Sequence, residues 1–79
     1  MNDELTAQDI RKMQEELDDR RFRLMPELIE EVKRTRAFGD LSENYEYKAA
    51  KQEQNRNKSR IRYLERMIAS ARVIEDRSS

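Results

Sequence analysis

Apolar residues recur along the first half of the chain with the spacing of an α-helix. They lie three, four or seven positions apart, so they fall on one face when the backbone is helical. Thr6 is placed to cap the free N–H groups at the start of that face. The pattern predicts a first helix over about residues 7–38, with its apolar face formed by Ile10, Met13, Leu17, Leu24, Leu28, Val32 and, near its end, Phe38.

Pro26 falls inside this helical pattern. Proline lacks a backbone N–H, and its ring disfavours helical geometry in the residue before it, here Met25. The apolar periodicity nevertheless resumes at Leu28. We therefore expect a kink or a short break in the first helix, with the helix restarting on Pro26 in its first turn.

The second half of the chain carries another helical face and predicts a helix over about residues 44–73. Its positions alternate between spacings of three and four, which is the heptad pattern of a coiled coil. Residues 77–79 are expected to form a linker or tail. The face is polar at its centre and consists of Tyr47, Ala50, Gln54, Asn57, Ile61, Leu64, Ile68 and Ala71.

A turn is expected between the two faces, over residues 39–43. Gly39 is the only glycine, and it follows the first helix at a position that needs a residue tolerant of positive φ. Asp40 or Ser42 can cap the second helix, with Glu43 placed three residues after Asp40. We call residues 39–43 the tip.

Folding the chain back at the tip brings the two faces together along one seam. The predicted fold class is all-α: an antiparallel two-helix coiled-coil hairpin with an acidic tip and a kink or break near Pro26. Arg20 and Arg21 interrupt the seam, and the stem of one of them is expected to lie along it with its head in solvent. The predicted pairs are Ile10 with Ala71, Met13 with Ile68, Leu17 with Leu64, Leu24 with Asn57, Leu28 with Gln54, Val32 with Ala50, and Thr35 with Tyr47.

Composition narrows the classes of function. Hydrophobic residues make up 35% of the chain and charged residues 43%, which suits a rod with a narrow seam. The absence of Cys and His excludes thiolate metal sites, histidine ligands and a histidine base. Basic and acidic residues number 17 each, which argues against nucleic-acid binding through bulk positive charge. No stretch resembles a membrane span or a signal peptide, so we expect a cytoplasmic protein that does not engage a membrane.

Residues 38–44, Phe-Gly-Asp-Leu-Ser-Glu-Asn, resemble the signature of bacterial Gre transcript-cleavage factors, as do Glu46-Tyr47 and Ala49-Ala50-Lys51 after them. The likeness extends over nearly the whole chain. It implies a Gre-type N-terminal coiled-coil domain, over residues 1–76, that enters the secondary channel of a backtracked RNA polymerase. Complete family members continue into an FKBP-like domain. We therefore expect these 79 residues to be an excised or truncated N-terminal domain that binds polymerase weakly alone.

The resemblance implies roles for the tip residues. Asp40 and Glu43 would help to hold a second Mg²⁺ and the attacking water, so that the polymerase itself cleaves the extruded 3′ end of the nascent RNA. This fits the preference of Mg²⁺ for oxygen ligands and the need of two-metal cleavage for a second ion. We expect no metal or other cofactor in the free protein and no enzymatic activity of its own. The residues implied to shape the tip are Gly39, Leu41, Ser42 and Asn44.

Basic residues cluster on both sides of the tip. The resemblance implies an RNA-binding patch there, carried best by Arg36 and Lys51 and joined by Lys48 and Arg34. The alternative is a solvated helix flank with ion pairs such as Glu30 to Arg34. Tyr47 is expected in the seam, and Tyr45 is expected to be the more exposed aromatic side chain.

Three alternatives stay open from the sequence. Asp, Ser and Asn beside Gly are also ordinary turn and capping residues. A rod of this kind could instead occupy the polymerase channel and block it without stimulating cleavage. It could also be a plain coiled-coil interaction module. We expect a monomer, and weak dimerisation through the polar seam belongs to the last alternative.

Overall fold

The computed structural model describes residues 5–39 and 43–78, with side chains described as far as residue 71. Within those ranges the chain forms α1 (Ala7–Asp19), a π-helical segment (Arg20–Leu24), α2 (Met25–Arg36) and α3 (Tyr45–Ser78), and no strand. The first three elements follow one another as one helical arm, which packs antiparallel against α3. The all-α hairpin prediction is confirmed. The molecule is a rod, with principal extents of 57, 24 and 14 Å.

The start of α1 is fixed by a capping box. The Thr6 Oγ1 accepts a hydrogen bond from the Asp9 N–H at 3.0 Å, and the Asp9 carboxylate accepts one from the Thr6 N–H at 3.1 Å. Two backbone donors that have no partner inside the helix are thereby satisfied. The predicted capping role of Thr6 is confirmed.

The irregularity predicted near Pro26 is present as a widened turn. The Met25 N–H donates to the Arg20 carbonyl, one residue further back than in an α-helix, which is the π-helical pattern. Pro26 lies in the first turn of α2, where a missing N–H leaves no bond unmade. Met25 itself keeps helical dihedral angles, φ −60° and ψ −46°, against the expectation for a residue before proline. The extra residue in the turn separates α1 from α2.

The apolar core lies at the open end of the hairpin. Leu17, Leu64 and Ile68 are buried together, and Leu64 is completely inaccessible to solvent. Ile10, Met13 and Ile61 pack around them. This arrangement agrees with the predicted pairing of α1 with α3. Towards the tip the buried residues are mostly polar or small: Thr35, Ala50, Gln54 and Asn57.

A polar cluster, formed by Glu16, Arg20, Asn57 and Arg60, occupies the middle of the seam. Asn57 is 2% exposed; its Nδ2 donates to the Arg20 carbonyl at 3.1 Å, and its Oδ1 accepts from the Arg20 guanidinium at 3.0 Å. Glu16 accepts from Arg20 at 2.7 Å and from Arg60 at 2.8 Å. The Arg20 head therefore bonds across the seam, and Arg21 is the more exposed of the two arginines, with its guanidinium 2.9 Å from Glu65.

Glu16 is the electrostatic centre of the polar cluster. The hydrogen bond from Arg60, and then that from Arg20, lower the pKa of its carboxyl to about 2. Both bonds favour the ionised form, and they outweigh the opposing effect of partial burial. The cluster thus ties α1, the π-helical segment and α3 together with charge-assisted bonds.

Two other predictions of the fold differ from the structure. Phe38 does not continue the apolar face: it is 53% exposed, because α2 ends at Arg36 and the helical spacing no longer applies beyond it. The second helix was expected to end near residue 73, but α3 continues to Ser78. In the part of the chain that the structure describes, no helix is both long enough and apolar enough to cross a membrane.

Candidate functional site at the hairpin tip

The chain leaves α2 through a turn that depends on Gly39. The Phe38 N–H donates to the Thr35 carbonyl at 3.1 Å, and Gly39 then has a φ of +124°. A side chain at Gly39 would meet no atom within 4 Å, so glycine is required by the backbone conformation and not by crowding. The prediction of a positive φ at this position is confirmed.

Asn44 joins the two arms directly after the tip. Its Oδ1 accepts from the Tyr47 N–H at 3.0 Å, which caps α3, and its Nδ2 donates to the Thr35 carbonyl in the last turn of α2. Thr35 is fully buried, and its own hydroxyl donates to the Glu31 carbonyl at 2.9 Å. One amide side chain therefore both starts α3 and ties it to α2.

The cap on α3 is not the one that the sequence predicted. Asp40 and Ser42 were expected in that role, but α3 begins at Tyr45 and the residue before it is Asn44. Asparagine is as good a capping residue as aspartate or serine, so residue type alone does not select among the three. Asp40, Leu41 and Ser42 lie outside the described residues.

Glu43 is an exposed carboxylate immediately before this cap. Among the residues that the structure describes, it has no ion-pair partner. Several acids along the stem differ in this respect, for example Asp19 with Arg23 at 2.6 Å and Glu65 with Arg21 at 2.9 Å. The Glu43 carboxylate therefore does not have to break an ion pair with a described residue before it meets an external cation.

Of the four predicted RNA-binding residues, Arg34 is engaged within its own helix. Its guanidinium pairs with Glu31 at 2.6 Å, and the hydrogen bond from Arg34 lowers the pKa of the Glu31 carboxyl. Glu30, the partner suggested by the sequence, instead lies 3.7 Å from Lys33. Arg34 thus forms an ion pair along its own helix, as the solvated-flank alternative expects, but with Glu31 and not with Glu30.

Arg36, Lys48 and Lys51 are arranged around the first turns of α3. The Arg36 guanidinium lies 5.9 Å from the centre of the Tyr47 ring, so it contacts α3 from the end of α2. Lys51 is half-buried one helical turn beyond Tyr47, and Lys48 is exposed. Arg36 therefore reaches the seam at Tyr47, and Lys51 follows one turn later along α3.

Cation–π pairs are a feature of this end of the rod that the sequence analysis missed. Arg34 lies 5.3 Å from the centre of the Phe38 ring, and the Lys48 Nζ lies 5.4 Å from that of Tyr45. The sequence did contain a signal for these pairs, because in each of them a basic and an aromatic residue lie three or four positions apart on one helical face. Tyr45 is 78% exposed and Tyr47 is half-buried, which confirms the expected difference between them.

The described acids do not form a metal site by themselves. Among the described side chains, in residues 5–39 and 43–71, no group of three or more His, Cys, Asp or Glu could hold a metal ion. Glu43 contributes one oxygen-donor group, of the type that Mg²⁺ prefers.

Comparison with known proteins agrees with this architecture. A family model described as "Transcription elongation factor, N-terminal" matches residues 4–73. Among curated relatives, the transcription elongation factor GreA of Thermotoga petrophila is 46% identical over 72 residues, that of Thermosipho melanesiensis 48% over 71, and that of Staphylococcus carnosus 43% over 72.

The matched segments cover 90 or 91% of this chain but only 45 or 46% of each of those relatives. The chain thus spans about half the length of the curated relatives it matches. No solved structure gives a significant match.

Proposed function

The chain belongs to the family of transcription elongation factor N-terminal domains, and from this premise we propose that it is a Gre-type elongation factor domain that acts on RNA polymerase. The relatives it matches are named transcription elongation factor GreA. The observation that carries the proposal is Glu43, an exposed carboxylate at the tip of a rod whose principal extents are 57, 24 and 14 Å. Such a rod can deliver its tip into a channel that a rounder domain of the same mass could not enter.

In this proposal the tip enters the secondary channel of a backtracked polymerase, and Asp40 and Glu43 bring two carboxylates to the active site. The donor set fits Mg²⁺, which commonly takes one or two protein carboxylates and fills its other positions with water and phosphate. When bound, the second ion supplies activation of the attacking water. The chain supplies the carboxylates and holds them in place, and the polymerase performs the cleavage.

The residues next to the acids act by positioning them. Gly39 allows the backbone to reverse, and Asn44 ties the start of α3 to the Thr35 carbonyl. Because Glu43 directly precedes Asn44, this bond restricts where the Glu43 carboxylate can lie relative to α2. Ligands must be held within a fraction of an ångström for metal chemistry, so the tie is part of the proposed mechanism.

Basic residues beside the tip are proposed to hold the extruded RNA through its phosphates. Arg36 and Lys51 are the main candidates, and Lys48 and Arg34 adjoin them; Arg34 also pairs with Glu31 at 2.6 Å, so RNA binding through Arg34 would compete with that ion pair. Phosphate contacts of this type fix position without selecting sequence. We therefore expect RNA binding through this patch to weaken as salt rises.

The proposal is tested by transcript cleavage in stalled, backtracked complexes of purified RNA polymerase. We expect the chain to accelerate cleavage, and Asp40→Ala or Glu43→Ala to reduce the acceleration at least about 10- to 100-fold, since even loss of a residue that only supports a metal ligand costs that much. Glu15→Ala is the matched control, because Glu15 is also exposed but lies at the other end of the rod. If neither tip substitution changes stimulated cleavage, the mechanism is wrong.

The same assay separates stimulation from blocking. A channel-blocking regulator would slow elongation and would not accelerate cleavage at any concentration of the chain. That outcome would keep the polymerase as the partner and remove the role of Asp40 and Glu43 in metal binding.

A further inference from the structure

Tyr45 is the most exposed of the large hydrophobic side chains in the described part of the chain. It is 78% exposed, and it is the first residue of α3, in the turn that the Asn44 side chain closes by accepting from the Tyr47 N–H. An aromatic ring fixed at its base and open to solvent presents a large apolar surface at little cost in conformational entropy. Its position two residues after Glu43 places this ring beside the tip.

The other aromatic rings near the tip are less accessible. Tyr47 is half-buried in the seam with the Arg36 guanidinium over its ring. Phe38 is 53% exposed, and it is approached by Arg34, which is held by Glu31. Tyr45 therefore offers the largest accessible aromatic surface at this end of the rod.

The chemistry around Tyr45 suits a nucleotide better than an apolar partner. The Lys48 Nζ lies 5.4 Å from the centre of the ring, and Arg36 and Lys51 lie along the same end of the rod. A base can stack on the ring while a phosphate meets the nearby positive charge. An apolar protein surface would instead remove water from these charges, which costs free energy.

We propose that Tyr45 binds the terminal, unpaired base of the extruded RNA by stacking on it. This inference rests on the proposed function, which brings an RNA 3′ end to the carboxylate of Glu43. Stacking of the terminal base fixes the last nucleotide, and so it restrains the phosphodiester bond that the polymerase cleaves. Because every base has a π-face, the contact tolerates all four bases.

The test uses elongation complexes assembled on synthetic RNA whose terminal 3′ nucleotide is mismatched and carries either a base or an abasic sugar. Cleavage rates are measured with the full chain below saturation, and cleavage without the chain is subtracted for each RNA. With the intact base, we expect Tyr45→Ala to lower stimulated cleavage about tenfold, within the range for loss of one stacked base. Tyr45→Phe should retain the wild-type rate, because stacking uses the ring and not the hydroxyl.

The abasic RNA makes the test specific for the contact. The wild-type chain should lose about tenfold in stimulated cleavage when the base is absent, and Tyr45→Ala should lose nothing further, because ring and base act as one pair. The loss that the wild-type chain shows on abasic RNA is measured without any variant, and Tyr45→Ala must retain measurable stimulation of intact RNA for the second comparison. Tyr63→Ala is the matched control, since Tyr63 is an exposed tyrosine of α3 with Arg60 at 4.9 Å from its ring centre, away from the tip.

The outcomes distinguish this inference from the proposed function. If Tyr45→Ala stimulates cleavage like the wild type, or if the losses from the variant and the abasic RNA multiply, the stacking role is overturned. The proposed function would still stand in that case, provided that Glu43→Ala lowers stimulation as expected above. If the wild-type chain does not stimulate cleavage of intact RNA, both are overturned.

Discussion

Replacing Asn44 with alanine should destabilise the hairpin more than replacement of any ordinary exposed residue. The substitution removes the cap on α3, which typically costs about 1 kcal/mol, and the bond to the Thr35 carbonyl, which contributes about 0.5–1.5 kcal/mol. The Thr35 carbonyl still accepts from the Phe38 N–H, so no large penalty for an unpaired buried group is added. We expect a loss of about 2 kcal/mol in the free energy of unfolding, or about 10 °C in Tm for a domain of this size.

The assay is urea and thermal unfolding followed by circular dichroism at 222 nm, together with hydrogen exchange of the Tyr47 amide. That amide donates to Asn44 Oδ1 at 3.0 Å and should lose protection in Asn44→Ala even if unfolding of the tip is partly local. Asn55→Ala is the matched control, because Asn55 is an exposed asparagine in the middle of α3. It should change stability by no more than about 0.5 kcal/mol.

Asn44→Asp separates the two bonds. A carboxylate can still accept from the Tyr47 N–H and is favoured at a helix N-terminus, but it cannot donate to the Thr35 carbonyl. We expect the wild type to be the most stable, Asn44→Asp to be intermediate and Asn44→Ala to be the least stable. The reasoning is refuted if Asn44→Ala unfolds like Asn55→Ala, and the link between the arms is refuted if Asn44→Asp is as stable as the wild type.

Two further predictions concern the stem. Leu64→Ala should lower the free energy of unfolding by about 2–5 kcal/mol, because Leu64 is fully buried and its truncation leaves a cavity. A decrease in Tm no larger than that of Leu24→Ala, at a half-buried position, would contradict this. The pKa of Glu16, lowered to about 2 by Arg60 and Arg20, predicts a contribution to stability that is complete above about pH 4.5 and is lost as pH falls towards 2. Between pH 7 and pH 2.5, the Tm of Glu16→Gln should therefore fall less than the Tm of the wild type. An equal fall in Tm for both proteins would exclude this role of the carboxylate.

The helical pairing was predictable because it follows from periodicity. A face that repeats every three or four residues can bury itself only against a similar face, and a single glycine marks where the chain reverses. That reasoning paired Leu17 with Leu64 and Met13 with Ile68, and in the structure Leu17, Leu64 and Ile68 form one buried cluster with Met13 packed against it. It needed no knowledge of side-chain hydrogen bonds.

The details that the sequence did not predict depend on contacts between distant residues. The π-helical turn places the Arg20 carbonyl where both the Met25 N–H and the Asn57 side chain reach it, and Asn57 is on the other arm. Phe38 was assigned to the seam because its spacing is compatible with it, although the helix ends before that residue. The choice of Asn44 over Asp40 or Ser42 likewise depends on where α3 begins.

The rod is stabilised differently at its two ends, by apolar burial at the open end and by hydrogen bonds near the tip. The open end is stabilised by burial of Leu17, Leu64 and Ile68, whereas the link at the tip is made by Asn44 and Thr35 through hydrogen bonds. Hydrogen bonds are directional, so they fix the orientation of Glu43 more closely than an equal free energy of apolar contact, which tolerates sliding. In the proposed function, a few polar residues would therefore position the tip for metal binding without the bulk of an apolar core, which a narrow channel would not admit.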